Sequence, residues 1–227
     1  MNKDDALIQQ LEDSLRDSLK HQIIDLNVHL TDGTVYLTGF VDCLTDKIQA
    51  GKVVQNYVPN IRFENNLTIA MNGSITDKQL QEQTVDNLRH CEFADRVENV
   101  GIKVEGGSGT LIGSVRTLSD EIKALEVARQ TTGLKDVASN LNIETSANIY
   151  DNNILKSIIA EALNDSDLSR HSIIPNVDRG IVTIEGMVDH RYEVEMAGDL
   201  IANIEGVIKI KNHLRNREDD KDLPGIN

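Results

Sequence analysis

Hydrophobic and polar positions follow one order of elements at the start of the chain. Apolar residues at every fourth position predict an amphipathic helix, with Leu7, Leu11, Leu15 and Leu19 on its inner face. Strict alternation over 24–30 and 35–41 predicts two half-buried strands joined by the turn Asp32-Gly33. A second helix, with Ile48, Ala50, Val54 and Val58 facing inward, and a strand over 61–69 complete the order α-β-β-α-β.

The same order returns twice in the remaining sequence. Gly39 lies 74 residues before Gly113, which lies 73 residues before Gly186. A period this constant indicates three copies of one folding unit. We predict domains over 1–70, 76–144 and 150–214. A charged tail over 215–227 lacks apolar periodicity and is predicted to be disordered.

Glycines and apolar residues occupy the positions that agree in all three units. Gly33, Gly107 and Gly180 fall in the predicted hairpin turns. Gly39, Gly113 and Gly186 take an inward position of the second strand, where a missing side chain permits a close approach or a bulge. We identify no acid, base or nucleophile among the repeated positions. The repetition therefore indicates a structural scaffold, with these six glycines as structural residues.

The alternation predicts an α+β fold of three small domains, each a three-stranded mixed sheet with two helices on one face. Leu37 and Ile184 face the helices in this register. Ile174 and Val177 are assigned to the first strand of the third unit, with Pro175 shortening it or marking an edge. The outer face is expected to carry Asn27, His29, Tyr36, Thr38 and Glu64 in the first unit, and Thr183, Glu185, Lys209 and Lys211 in the third.

The second unit has the weakest pattern. Its first helix, from about Asp77 to Cys91, contains few apolar residues, its hairpin is rich in glycine, and Ile112 falls on the outer face. Open sheet edges pair with other strands unless they are protected, as Pro175 protects one here. We therefore expect the second unit to depend on its neighbours or on another copy. Self-association or docking to a protein partner would use sheet edges or helices.

Composition narrows the range of partners. The net charge is −14, the acidic excess is spread over all three units, and the chain has no Trp and only three Phe. Nucleic acid is excluded as a partner because no unit has a basic footprint. The even acidity also argues against simple electrostatic docking to anionic lipid. Two unpaired cysteines, Cys43 and Cys91, predict free thiols.

No motif predicts catalysis, a metal, a cofactor or a small-molecule substrate. The glycine-rich stretch 106–113 lies between two strands and is interpreted as a hairpin turn, not a phosphate loop. Asp165 and Asp167 lack the glycine and distal glutamate of a calcium loop, so a polar turn is predicted. The six histidines do not pair at metal-ligand spacing and are expected to be solvated: His21, His29, His90, His171, His190 and His213.

The location depends on the start of the chain. The first residues open into a charged helix without an apolar signal region, and no apolar run approaches 18 residues. We expect a cytoplasmic protein if Met1 is the native start. A periplasmic location is expected if a signal peptide has been removed.

The closing strands resemble the BON domain. Gly206-Val-Ile-Lys-Ile-Lys-Asn-His-Leu214 matches the closing motif of that family, and Gly133-Leu-Lys-Asp-Val-Ala-Ser-Asn-Leu141 matches except at Ser139. In the first unit Pro59 replaces the glycine, while Asn65 and Leu67 are kept. The resemblance covers nearly the whole chain and implies three tandem α-β-β-α-β domains.

Two classes of function remain open. The resemblance implies a non-enzymatic bacterial module that binds phospholipid or membrane surfaces, or that acts at the cell envelope under osmotic stress. The alternative is a structural or assembly protein that self-associates or docks to protein partners. Small-ion sensing is a third reading, again implied by the resemblance alone.

Overall fold

The structure is a computed structural model that describes residues 3–19, 24–70, 75–144 and 151–217. The first repeat contains α1 (Lys3–Ser18), β1 (Ile24–Thr31), β2 (Thr34–Val41), α2 (Leu44–Tyr57) and β3 (Arg62–Ile69). The second contains α3 (Asp77–His90), a short 3-10 helix (Ala94–Arg96), β4 (Val100–Glu105), β5 (Ser108–Val115), α4 (Leu118–Arg129) and β6 (Asp136–Ile143). The third contains α5 (Asn152–Asn164), β7 (Ile174–Asp178), β8 (Ile181–Val188), α6 (Arg191–Ala202) and β9 (Lys209–Asn216).

Each repeat forms one three-stranded sheet with its second strand in the centre. In the first and third repeats the hairpin strands pair antiparallel, while the last strand pairs parallel to the central one. A parallel pair requires a crossover, which the second helix of the repeat supplies. The predicted α+β fold with three mixed sheets is confirmed.

The register of the central strands is the one that alternation predicts. Leu37 and Ile184 are fully buried, whereas Tyr36 and Thr183 are only half-buried on the opposite face. Two helices supply the other half of the first core, with Leu11 and Leu15 from α1 and Ala50 and Val54 from α2. The helices therefore cover one face of the sheet and leave the other to solvent.

The contacts divide the chain into two compact units. One comprises 1–94, 101–112 and 124–140, and the other comprises 95–100, 113–123 and 141–227. The second repeat supplies residues to both.

The first helix of the second repeat is well defined despite its few apolar residues. Thr76 and Gln79 form a reciprocal capping box at its start, which satisfies backbone N–H groups that the helix leaves free. Thr84 is fully buried between Leu80 and Leu88, and its hydroxyl donates to the carbonyl of Leu80 over 2.7 Å. A threonine with a local partner thus fills a core position that the apolar pattern does not show.

Two details of the prediction differ from the structure, and a third residue, Ile174, lies in the predicted strand but with its side chain outward. Ile48 was expected to face inward but is 38% exposed, because Asp46 and Ala50 occupy the inner face of α2. Ile174 is 64% exposed, since Pro175 and Val177 are the inward residues of β7. Strand β9 continues to Asn216 and so includes the start of the predicted tail. The rest of that tail, 218–227, lies outside the described residues.

The inner glycines bring two backbones into direct contact. A Cβ atom at Gly186 would lie 2.4 Å from the backbone oxygen of Ser172, and one at Gly113 would lie 2.0 Å from that of Asn99. Gly186 also has a φ of +146°, which side chains rarely allow. The predicted close approach is therefore to the chain that enters the first strand of the repeat.

Gly186→Ala should lower the free energy of unfolding by about 1–3 kcal/mol, because the added methyl group meets backbone that has to shift. Gly198→Ala is the matched control. Its Cβ would meet only the Asn212 amide at 3.7 Å, and alanine favours the helix by about 0.5–1 kcal/mol. Urea unfolding measures both variants. Equal midpoints for Gly186→Ala and wild type would contradict the close approach.

Candidate functional site

A row of basic side chains lies on the outer face of the third sheet. Strand β9 alternates between the core, to which Leu214 contributes, and the solvent-exposed face. The exposed positions carry the residues that we call the basic stripe: Lys209, Lys211, His213 and Arg215. Lys209 and Lys211 were predicted on this face. His213 and Arg215 were not assigned to this face, and Arg215 lies beyond Leu214, where the strand was expected to end.

The strands beside the stripe add exposed apolar side chains. Arg215 pairs in register with Met187, which is 39% exposed. Ile174, 64% exposed, pairs with Glu185, which in turn lies beside His213. The face therefore combines cationic and apolar groups. Its acidic residues are Glu185 on β8 and Asp178 on β7.

The basic stripe belongs to the third repeat alone. The equivalent positions of β3 carry Arg62, Glu64, Asn66 and Thr68, and those of β6 carry Asp136, Ala138, Asn140 and Asn142. Within the described part of the chain, the four stripe side chains make no ion pair. Their charge is therefore available to an external anion.

An asparagine fixes the closing strand against the second helix. The side-chain amide of Asn212 donates to the carbonyl of Val194 in α6 over 2.8 Å, and its oxygen accepts from the backbone of Leu214 over 3.1 Å. Asn65 repeats the arrangement with Lys47 in the first repeat, at 2.7 Å. This is the physical role of the asparagine in the closing motif. The two hydrogen bonds of Asn212 hold strand β9, which carries the basic stripe, against α6.

A buried carboxylate lies at the start of α6. Glu193 is 2% exposed and accepts from the backbone N–H groups of Asp189 at 2.8 Å and His190 at 2.9 Å. Its other oxygen pairs with Arg170 and lies 3.3 Å from Nε2 of His171. Burial alone would raise the pKa of Glu193. The N–H of His190, the His171 side chain, the N–H of Asp189 and the charge of Arg170 together lower that pKa to about 2.

The same helix position is acidic in every repeat. Asp46, Asp120 and Glu193 share the spacing of the inner glycines and are all buried. The conclusion that no acid recurs is therefore wrong. The signal was present in the sequence, seven residues after Gly39, Gly113 and Gly186. Asp120 and Glu193 cap their helices by accepting from the backbone N–H groups of Thr117 and His190, since such groups at a helix start need an acceptor.

The partners of these acids differ between repeats. Arg96 pairs with Asp120, with Nε 2.6 Å from Oδ1, and so plays the part that Arg170 plays toward Glu193, although the two arginines are one position out of register. In the first repeat the thiol of Cys43 donates to Asp46 over 3.3 Å. Burial raises the pKa of Cys43 to about 11, so the thiol stays protonated and is a poor nucleophile. Cys43 and Cys91 are both free, as predicted.

The glycine-rich hairpin of the second repeat binds a carboxylate from the same chain. The carboxylate of Asp77 accepts from the N–H groups of Gly106 at 2.8 Å and Gly107 at 2.9 Å. In the third repeat, Asn152 holds the equivalent turn by accepting from the N–H of Arg179 at 2.8 Å. These hairpins are thus tied to the first helix of their repeat. The hairpin interpretation of the stretch 106–113 is confirmed.

His171 and the backbone of His190 both contact Glu193, and the other described histidines lie on different elements. His29 stacks on Tyr36 on the outer face of the first sheet, His90 ends α3, His190 precedes α6 and His213 lies in the stripe, while His21 is outside the described residues. The expected exposure is wrong for His171, whose side chain is 6% exposed because it packs on Glu193. Among the described residues no group of three His, Cys, Asp or Glu side chains could hold a metal ion. The described helices include none that is both long and apolar enough to cross a bilayer.

Glu193→Gln should flatten the acid limb of the stability curve. The folded state favours the charged form of Glu193, so its contribution is present above about pH 4.5 and disappears as the pH falls toward 2. Urea unfolding between pH 6 and pH 3 measures this. Glu195→Gln, on the exposed side of the same helix, is the control. Identical pH slopes for wild type and Glu193→Gln would contradict the assignment.

The chain is similar to several known proteins. The chain is 24% identical over 169 residues to osmotically-inducible protein Y of Escherichia coli strain K12, a match that covers 71% of this chain and 77% of that protein. Among solved structures, it is similar to the C-terminal domain of CdsD, a structural protein of the type III secretion system of Chlamydia trachomatis. That match has 14% identity, covers 94% of this chain and 98% of the other, and has a TM-score of 0.26.

The PrgH periplasmic domain gives a similar result, with 14% identity, a TM-score of 0.25, and coverage of 91% of this chain and 99% of the other. TM-scores this low carry no argument about function. The family model of the BON domain matches residues 3–71, 76–145 and 151–218. Because these three matches cover most of the sequence, the chain belongs to the BON domain family.

Proposed function

We propose that this chain is a non-enzymatic binding module that attaches to anionic phospholipid at a membrane surface through the outer face of its third sheet. The observation that carries the proposal is the basic stripe. Its cations, Lys209, Lys211 and Arg215, lie on one face of a single strand, in a chain whose net charge is −14. Such a face fits a surface with many negative charges.

Electrostatics favours one orientation of binding. Each Lys or Arg near an anionic leaflet contributes about 1 kcal/mol. The acidic remainder of the chain is repelled by the same surface, so docking through any other face is disfavoured. Averaged over each repeat, the acidity argued against lipid binding. Here the same acidity orients the chain so that the basic stripe faces the membrane.

The apolar neighbours of the stripe add a second contribution. Ile174 and Met187 are exposed on the same face. Burying apolar area at the boundary between headgroups and acyl chains is favourable by roughly 25 cal/mol per Å². Charge and apolar contact together give a reversible attachment, which is typical of peripheral membrane proteins.

Other features support a binding role without catalysis. Asp120 and Glu193 are occupied as helix caps, Asp46 accepts from the thiol of Cys43, and that thiol is buried and protonated. The E. coli relative is named for osmotic induction. We propose that the binding takes place at the cell envelope during the response to osmotic stress.

Neutralising the stripe should abolish vesicle binding. For Lys209→Gln/Lys211→Gln/Arg215→Gln we expect a loss of about 3 kcal/mol, roughly a hundredfold in affinity, because three cations leave the membrane surface. Co-sedimentation with phosphatidylglycerol-containing vesicles measures the affinity. Binding of the wild type should weaken as salt rises, since salt screens exposed charges.

Arg62→Gln is the matched control, because Arg62 occupies the place of Lys209 on the first sheet. That variant and wild type should bind anionic vesicles nearly equally, and neither should bind vesicles of phosphatidylcholine alone. Undiminished binding by the triple variant would overturn the proposal. So would equal loss in Arg62→Gln.

A further inference from the structure

The first and second repeats meet end to end through their second helices. The N–H of Gly133, in the loop after α4, donates to the carbonyl of Asp42, just before α2, over 3.2 Å. An open cleft of about 190 Å³ separates the start of α2 from the end of α4 and is lined by Thr45, Ile48, Gln49, Lys52, Glu126, Arg129 and Gln130. The first repeat therefore contributes the start of its second helix, α2, to this contact, and the second repeat contributes the end of its second helix, α4.

The second and third repeats use the same two ends. Leu118, the first residue of α4, packs against the core of the third repeat. Arg96 of the second repeat donates from Nη2 to the side-chain oxygen of Asn203, the C-cap of α6, over 3.4 Å. Here too, the start of the second helix in the earlier repeat lies beside the end of the second helix in the later repeat.

Helix electrostatics explains the role of Arg96. The C-terminal end of a helix is partially negative and is stabilised by a nearby cation. Helix α4 has its own basic residue in the last turn, Arg129, whereas α6 has none and is approached by Arg96 of the preceding repeat. Helix α2 also lacks a basic residue in its last turn. Its C-terminal end carries Asn56, the counterpart of Asn203, and Asn56 is exposed.

The complementary end is exposed at the start of α6. Tyr192 and Met196 occupy the places of Thr45 and Gln49, which line the cleft between the first two repeats. They are 56% and 36% exposed, and they lie one helical turn apart. Arg170, which plays the part of Arg96, interacts with Tyr192 and is 53% exposed. The start of the second helix, which contacts the next repeat in the first and second repeats, is thus apolar and exposed in the third repeat.

We propose that the start of α6 in one copy binds the end of α2 in a second copy, which continues the contact made between repeats within the chain. Arg170 then lies beside the C-terminal end of the partner's helix, as Arg96 lies beside α6. Because the two surfaces differ, the contact is heterologous and each added copy leaves one surface free. Assembly therefore continues past the dimer or closes into a ring.

One internal contact has no counterpart in this interface. Pro59 stands where Gly133 does and has no N–H to donate. The hydrogen bond to the residue before the second helix is absent there. Apolar contact from Tyr192 and Met196 takes its place, so the interface should be more sensitive to apolar substitutions than the internal contacts.

Two variants that each block one end test the proposal. Tyr192→Asp/Met196→Asp blocks the third repeat, and Asn56→Arg blocks the first by placing a cation against Arg170. Arg170 itself is left intact because it pairs with buried Glu193. Multi-angle light scattering over a range of concentrations should show wild-type mass rising beyond the dimer. Each variant alone should remain monomeric, and their mixture should reach the dimer and stop.

Ile154→Asp/Ile158→Asp is the matched control, because these residues have the same spacing and similar exposure on α5. Its assembly should equal that of wild type. The proposal is overturned by a wild-type monomer at every concentration, by wild-type mass that stops at the dimer, or by an equal loss of assembly in the control. Circular dichroism of each variant separates a blocked end from a misfolded chain.

Discussion

The structure depends on one close contact between backbones in each repeat. The inner glycine of the central strand leaves room for a carbonyl group at or just before the start of the first strand: that of Asp25, Asn99 or Ser172. Without this approach the hairpin could not keep its register, and the alternation of core and outer residues would be lost. The buried acid at the start of the second helix lies seven residues beyond each glycine. The central strand, the crossover helix and the closing strand therefore keep the same order and spacing relative to the inner glycine in every repeat.

Sequence predicted the scaffold well because its signals are local and repeated. Alternation placed Leu37 and Ile184 in the core, and the spacing of glycines located the three units. It failed where a buried polar residue decides the outcome. His171 is buried because Glu193 reaches it from another element, and Ile48 is exposed because Asp46 takes the inner position. Periodicity cannot show such contacts, since a polar residue with a partner occupies a core position like an apolar one.

The sequence predicted only two of the four residues of the candidate site, for a related reason. Counting charges by repeat averages a cationic strand with acidic helices, and the third repeat then looks acidic. Only the strand register shows that Lys209, Lys211, His213 and Arg215 share one face. The three repeats thus share buried residues, whereas the proposed recognition depends on exposed residues that one repeat alone carries.

The central claim is that recognition lies in the outer-face side chains and that the repeats supply an equivalent platform. Transferring the stripe tests it most directly. In the chain with Lys209→Gln/Lys211→Gln/Arg215→Gln, the changes Glu64→Lys and Thr68→Arg would join Arg62 on β3, beside exposed Phe40. We predict that binding to anionic vesicles returns through the first repeat. A correctly folded variant that still fails to bind these vesicles would contradict the account.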